Sequence, residues 1–199
     1  MKIQYFKILI IFIVINTTLY SFTIDKRVSQ PTDNAFWRSH YDIPQYGAMA
    51  MVGLALYEGN ENRLGKTAWK SIESAIGATI MTEILKKLTK RARPRWTEDP
   101  NIWQEKGDSF PSLHVASLTA LITPFVLEYQ DDYPLVHLLW GLSAHQMIGR
   151  VKAQAHWQSD VLGGLAVGLI SGYLVHNQDS PFLLYYSEDK VIMGFKHCF

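Results

Sequence analysis

The sequence predicts an all-α fold, a single bundle of helices, and three observations carry that prediction. Five apolar stretches between Asp42 and His176 have helical character and are separated by polar, Gly- or Pro-bearing connections. One stretch repeats Ile72, Ile76, Ile80, Ile84 and Leu88 at four-residue steps. Another carries Gly164, Gly168 and Gly172 at the same interval, the mark of a helix whose neighbour approaches its backbone closely.

The elements follow in order. The stretch from Asp42 to Gly59 has Asp42 in the capping position and Pro44 in the first turn. Thr67 to Leu88 forms an amphipathic helix, with Trp69, Met81 and Leu85 reinforcing the isoleucine series and Glu73, Glu83 and Lys87 off the apolar face. Leu113 to Tyr129 is interrupted by Pro124, where a kink or short break is expected. Asp132 to Val151 again begins with Asp and Pro, and Val161 to Val175 is uncharged. After these helices, two short β-prone runs flank Ser187, Glu188 and Asp189, a pattern that predicts a hairpin tail.

At 199 residues the chain is one domain's worth and can bury a substantial core. A formal net charge of +1 excludes a strong global attraction to nucleic acid. Cys198 is the sole cysteine, so neither an internal disulfide nor a cysteine-based zinc site can form. Lys2 and Lys7 precede an apolar run from Ile8 to Ile15 and a small-polar segment ending at Ser21, the order of a secretory signal peptide. Residues 1–21 are therefore expected to be a leader or N-terminal anchor, 22–180 a helical domain and 181–199 a tail. The apolar stretches mostly fall short of the roughly 20 residues a span needs, and Glu73 and Glu83 are costly in lipid. The expectation is an exported globular domain associated with a membrane rather than an integral one.

Three local clusters carry chemistry. Lys86 and Arg93 flank the end of the second helix, which Pro94 is expected to stop; two long cations there can grip a phosphate. Pro111 and Ser112 open the next helix, so Ser112 can cap it while the first-turn N–H groups face an anion and His114 stands ready to deliver a proton. Arg150 is followed by His156 and Asp160, whose four-residue spacing lets a carboxylate hold an imidazole on one helix face.

In order and spacing, Lys86 with Arg93 and Pro94, then Pro111 to His114, then Gly149 and Arg150 with His156 and Asp160, resemble the three signature motifs of the type 2 phosphatidic acid phosphatase superfamily. That group includes lipid phosphate phosphatases, bacterial acid phosphatases and vanadium haloperoxidases. The resemblance implies a helical bundle in which Lys86, Arg93 and Arg150 hold the phosphate, aided by Ser112 and the main-chain N–H of Leu113. It further implies attack by His156, orientation by Asp160, protonation of the leaving group by His114 and no metal or other cofactor. The implied reaction is hydrolysis of phosphate monoesters or pyrophosphates through a phosphohistidine, on a phosphorylated lipid or a small phosphate ester, in the periplasm or cell envelope. A vanadium-dependent haloperoxidase and a non-catalytic relative are the alternatives. Two positions depart from the usual motifs: Leu113 stands where the family has Gly, and Gly149 where it has Ser. Trp96 and Trp103, in the long connection before Ser109, favour an amphiphilic substrate.

Overall fold

The computed structural model describes residues 24–32, 34–177, 182–187 and 190–195. The expected leader and Cys198 lie outside them. A short helix α1 (Ala35–Arg38) and a 3-10 turn (Ser39–Tyr41) lead into α2 (Ile43–Glu58) and the long α3 (Arg63–Thr89). After a connection come α4 (Leu113–Tyr129), a 3-10 stretch (Pro134–Leu139), α5 (Trp140–Lys152) and α6 (Gln158–Asn177). Strands β1 (Phe182–Ser187) and β2 (Lys190–Phe195) pair antiparallel, Phe182 opposite Phe195 and Ser187 opposite Lys190, where the sequence predicts the hairpin.

The centre of the bundle is α4, packed between α3 and α6, which also touch each other. The glycine stripe on α6 sets that spacing. A Cβ on Gly164 would stand 2.5 Å from the Ser112 carbonyl oxygen, and one on Gly168 2.6 Å from that of Ala116. Only glycine lets the two backbones come this close. Helix α4 runs through Pro124 without the short break that was one of the two outcomes expected there, and it is packed between α3 and α6. The start of the next helix also differs from expectation. Pro134–Leu139 winds as 3-10 helix and α5 begins only at Trp140. At the start of α2, Asp42 occupies the cap position without a side-chain capping bond.

In α3 the apolar stripe points the unexpected way. An amphipathic helix normally turns its apolar face to the core, yet Ile76, Ile80, Ile84 and Leu88 are 39 to 54 % exposed. The buried stripe is small and polar: Ala68, Ser71, Ser74, Ala78 and Thr82, with Leu85. Close packing against α4 and α6 leaves room only for short side chains, so the isoleucines lie outside. Buried hydroxyls such as Ser74 Oγ are served within the helix, here by the Lys70 carbonyl at 2.7 Å. Glu73 is buried inside the bundle, so its charge does not count against an apolar exterior. Met49, Val52 and Leu56 of α2 are also exposed, and together with the isoleucines they give the molecule an apolar face.

Candidate active site

Helix α3 stops at Thr89, five residues before Pro94. Lys90 takes a left-handed conformation (φ 45°) and its N–H closes the last turn on the Lys86 carbonyl at 2.9 Å. This turn separates the following cations. Arg91 goes inward and is 1 % exposed, whereas Arg93 turns toward a cavity of about 630 Å³ that Lys86 also lines. The long connection folds back along this segment: the Ala92 N–H donates to the Ile102 carbonyl and the Ser109 N–H to the Arg91 carbonyl, both at 3.0 Å. At Gly107 a Cβ would collide with the Arg91 carbonyl oxygen. Asp108 then meets Arg93 through two parallel bonds of 2.7 Å, and its carbonyl accepts from Lys86 Nζ. Arg93 outweighs partial burial and holds the Asp108 carboxyl below its ordinary range.

Ser112 sits at the N-cap of α4, but its hydroxyl makes no capping bond and is buried without a partner. The expected cap is replaced by a main-chain tie, the Ser112 N–H donating to the Asp160 carbonyl at 2.9 Å. That bond joins the N-terminal ends of α4 and α6. Leu113 and His114, in the first turn of α4, face the cavity.

The turn between α5 and α6 supplies the rest. Arg150 is 3 % exposed and, among the described residues, has no carboxylate partner; its Nε and Nη1 are buried with no hydrogen bond to them, and its guanidinium lies 5.2 Å over the Tyr41 ring. A buried unpaired cation is costly unless an anion is to arrive. His156 Nδ1 lies 2.8 Å from the Ser109 carbonyl oxygen. A carbonyl can only accept, so Nδ1 carries the proton and Nε2 keeps its lone pair. Asp160 Oδ2 is 3.7 Å from the same Nδ1, outside hydrogen-bonding distance. The direct grip expected from the four-residue spacing is therefore replaced by an indirect one. Asp160 accepts from the Ser109 hydroxyl, from the Trp157 N–H at 2.8 Å and from Arg91 at 2.6 Å. The Ser109 main chain, thus fixed, holds the imidazole.

Burial, helped by the Arg150 and Arg93 charges, outweighs Asp160 and pulls His156 down to about 3. Its ring is neutral at physiological pH. His114 is lowered to about 4, first by burial and then by Arg150, His40, Arg93 and Lys86.

The cavity thus brings together Lys86, Arg93, Leu113, His114, Arg150 and His156. It does not bring in Ser112 or Asp160, both fully buried behind its wall. Trp103 lies against Arg91, 4.4 Å from guanidinium to ring centre, and belongs to the support of the site. Trp96 is exposed beside Arg95. Sequence reasoning missed Tyr41, Asp108, Ser109, Arg91 and Asp25. Asp108 and Ser109 lie just before the second cluster and Arg91 inside the first; Tyr41 and Asp25 had no local signal. Among the described residues no group of three or more His, Cys, Asp or Glu side chains could hold a metal ion.

These features define a helical protein with a cation-lined pocket bordered by two histidines. The profile of the PAP2 superfamily matches residues 67–182, and the chain belongs to that superfamily. Over 136 residues it is 30 % identical to a lipid A 1-phosphatase of Porphyromonas gingivalis, covering 66 % of this chain and 28 % of that protein. The chain thus spans little more than a quarter of the length of that curated relative. The fold resembles the crystal structure of Aquifex aeolicus LpxE (TM-score 0.54, 18 % identity), covering 72 % of this chain and 87 % of that one. It also resembles a transmembrane PAP2-type phosphatidylglycerolphosphate phosphatase from Bacillus subtilis (TM-score 0.52, 20 % identity), with coverages of 72 % and 76 %.

Proposed function

We propose that this protein is a metal-independent phosphatase that removes the phosphate of a phosphorylated lipid at the surface of an envelope membrane. The observation that carries this reading is the convergence of Lys86, Arg93, Arg150, His114 and His156 on one cavity, with Arg150 buried and unpaired. In this reading the three cations and the Leu113 N–H hold the non-bridging oxygens and stabilise the charge of the transition state. The lone pair of His156 Nε2 attacks phosphorus, and the bond to the lipid oxygen breaks with its electron pair. The leaving oxygen takes a proton from His114. Water, deprotonated by His114, then displaces the phosphoryl group from Nε2 and releases inorganic phosphate. Asp160 and Ser109 keep the nucleophile in its tautomer. Ser112 stands behind the wall with an unused hydroxyl.

A second cavity, of about 470 Å³, supports an amphiphilic substrate. It runs between α2, α3 and α4 and shares Tyr41, Leu113 and His114 with the phosphate pocket. Its walls include Val52, Ile76 and Ile80, all part of the exposed apolar face, so a hydrocarbon chain resting there continues into surrounding lipid. The porphyromonad relative, named for a lipid substrate, supports the same class.

Phosphate release from a phosphorylated lipid in mixed micelles, compared with a soluble aryl phosphate, tests the reading; absence of release from both rejects it. Leu113→Gly should lower kcat/KM for the lipid about tenfold, from the loss of a Leu contact of ~1.5 kcal/mol, and lower that for the aryl ester less. Equal losses would place Leu113 in the phosphate cradle alone.

The pH profile separates the two histidines. His156, at about 3, remains a nucleophile across the assay range. His114 starts at about 4 in the free protein. A bound phosphate dianion offsets the cations that lower it, and so raises its pKa. The alkaline limb of kcat should therefore lie at higher pH than that of kcat/KM; coincident limbs would count against His114 as the acid.

A further inference from the structure

The segment before α2 lies upstream of the family match, yet it forms part of the pocket. Phe36 and Trp37 dock it onto α5, where the Trp37 and His145 rings stack at 5.2 Å and the Phe36 carbonyl lies 3.0 Å from His145 Nε2. His40 is 2 % exposed and its Nδ1 is bonded to the Trp37 carbonyl. Its ring lies directly against Gly149: a Cβ there would stand 2.8 Å from His40 Cβ and 2.9 Å from Cγ and Nδ1. Real Cβ atoms do not approach this closely, so a side chain at 149 would have to push this buried, bonded ring out of its seat. A side chain at 149 and this imidazole therefore exclude one another. The family's usual serine at 149 is missing where an upstream ring fills the space.

The ring of His40 backs that of Tyr41, centre to centre 4.1 Å. Tyr41 in turn lies beneath the Arg150 guanidinium at 5.2 Å and edge-on to His114 at 6.4 Å. Among the described residues no carboxylate bonds Arg150, and the Tyr41 ring is an aromatic face against which its guanidinium rests. We propose that His40 and Tyr41 are positioning residues for the phosphate-binding Arg150: His40, keyed into the hollow at Gly149, sets the Tyr41 ring that aims the guanidinium into the pocket. The proposal rests on the phosphatase reading above. It accounts for the glycine as one half of a matched pair with His40.

Orthovanadate affinity and kcat/KM for an aryl phosphate, measured on the full chain, test it, with thermal midpoints alongside. Tyr41 is half exposed, so its variants keep the fold. Tyr41→Ala should weaken orthovanadate at least tenfold, and Tyr41→Phe, which keeps the ring face, should recover most of that loss. Gly149→Ser should weaken it comparably. In the His40→Ala background the same serine should add less than twofold, because the ring it displaces is gone. Wild-type affinity in folded Tyr41→Ala, or equal serine effects in both backgrounds, overturns the proposal and leaves the phosphatase reading intact. Wild-type protein that neither binds orthovanadate nor releases phosphate overturns both.

Discussion

Alanine at position 156 should abolish turnover, with kcat down by ~10³-fold or more, because removal of a covalent nucleophile leaves only the binding contribution of the pocket. His156 is 1 % exposed and its Nδ1–H serves the Ser109 carbonyl, so alanine also orphans that acceptor at a cost of about 1–3 kcal/mol. His156→Asn supplies an N–H in the place of Nδ1 and carries no nucleophile. Both variants should be inactive, and the asparagine variant should unfold at the higher temperature. Quenching wild-type protein during turnover of a ³²P-labelled ester should trap an acid-labile, base-stable label on His156. Retained turnover in either folded variant, or a label on another residue, would remove His156 from the chemistry.

Legibility in the sequence followed the range of the interactions. Lys86 with Arg93, Ser112 with His114, and Arg150 with His156 are each separated by a few residues. Their spacing survives folding, so all but Ser112 reach the cavity from the motifs alone. Helix existence was equally local. The failures come from contacts no local window contains. The isoleucines of α3 look like a core stripe, but the tight approach of α4 and α6 reserves the interior for Ala, Ser and Thr. Pro94 looks like the helix stop, but left-handed Lys90 ends α3 earlier and thereby sends Arg91 and Arg93 to opposite sides. Gly149 reads as a lost hydroxyl until His40, distant in sequence, is found in its place. The spacing of His156 and Asp160 suggests a direct bond, but at 3.7 Å none forms, and the connection between them passes through Ser109.

Arg91→Met should destabilise the fold by ~3–5 kcal/mol, the cost of removing one partner from a buried ion cluster. Arg91 is 1 % exposed and meets two carboxylates, Asp25 and Asp160, each at 2.6 Å with side chains fully buried. Its Nη2 also donates to the Pro100 carbonyl at 2.8 Å, and Trp103 covers its face. Methionine fills much of the volume but leaves two buried carboxylates with hydroxyl and N–H partners only. Against a total stability of ~5–15 kcal/mol, that loss brings the protein close to its unfolding threshold. Neutralising one carboxylate should restore part of it, so Arg91→Met with Asp25→Asn should be more stable than Arg91→Met alone, although Asp25→Asn by itself destabilises. Such a reversal of sign is the signature of charge pairing and does not arise from packing. Urea titrations at low and high salt give the measurement, and the difference should persist at high salt because the cluster is shielded from solvent ions. An Arg91→Met protein within 1 kcal/mol of wild type would show that the cluster is not what holds Asp25 and the connection after α3 to the site. Where the fold survives the substitution, kcat should still fall. Asp160 then loses its cation, and the Ser109 main chain that aims His156 loses the anchor behind it.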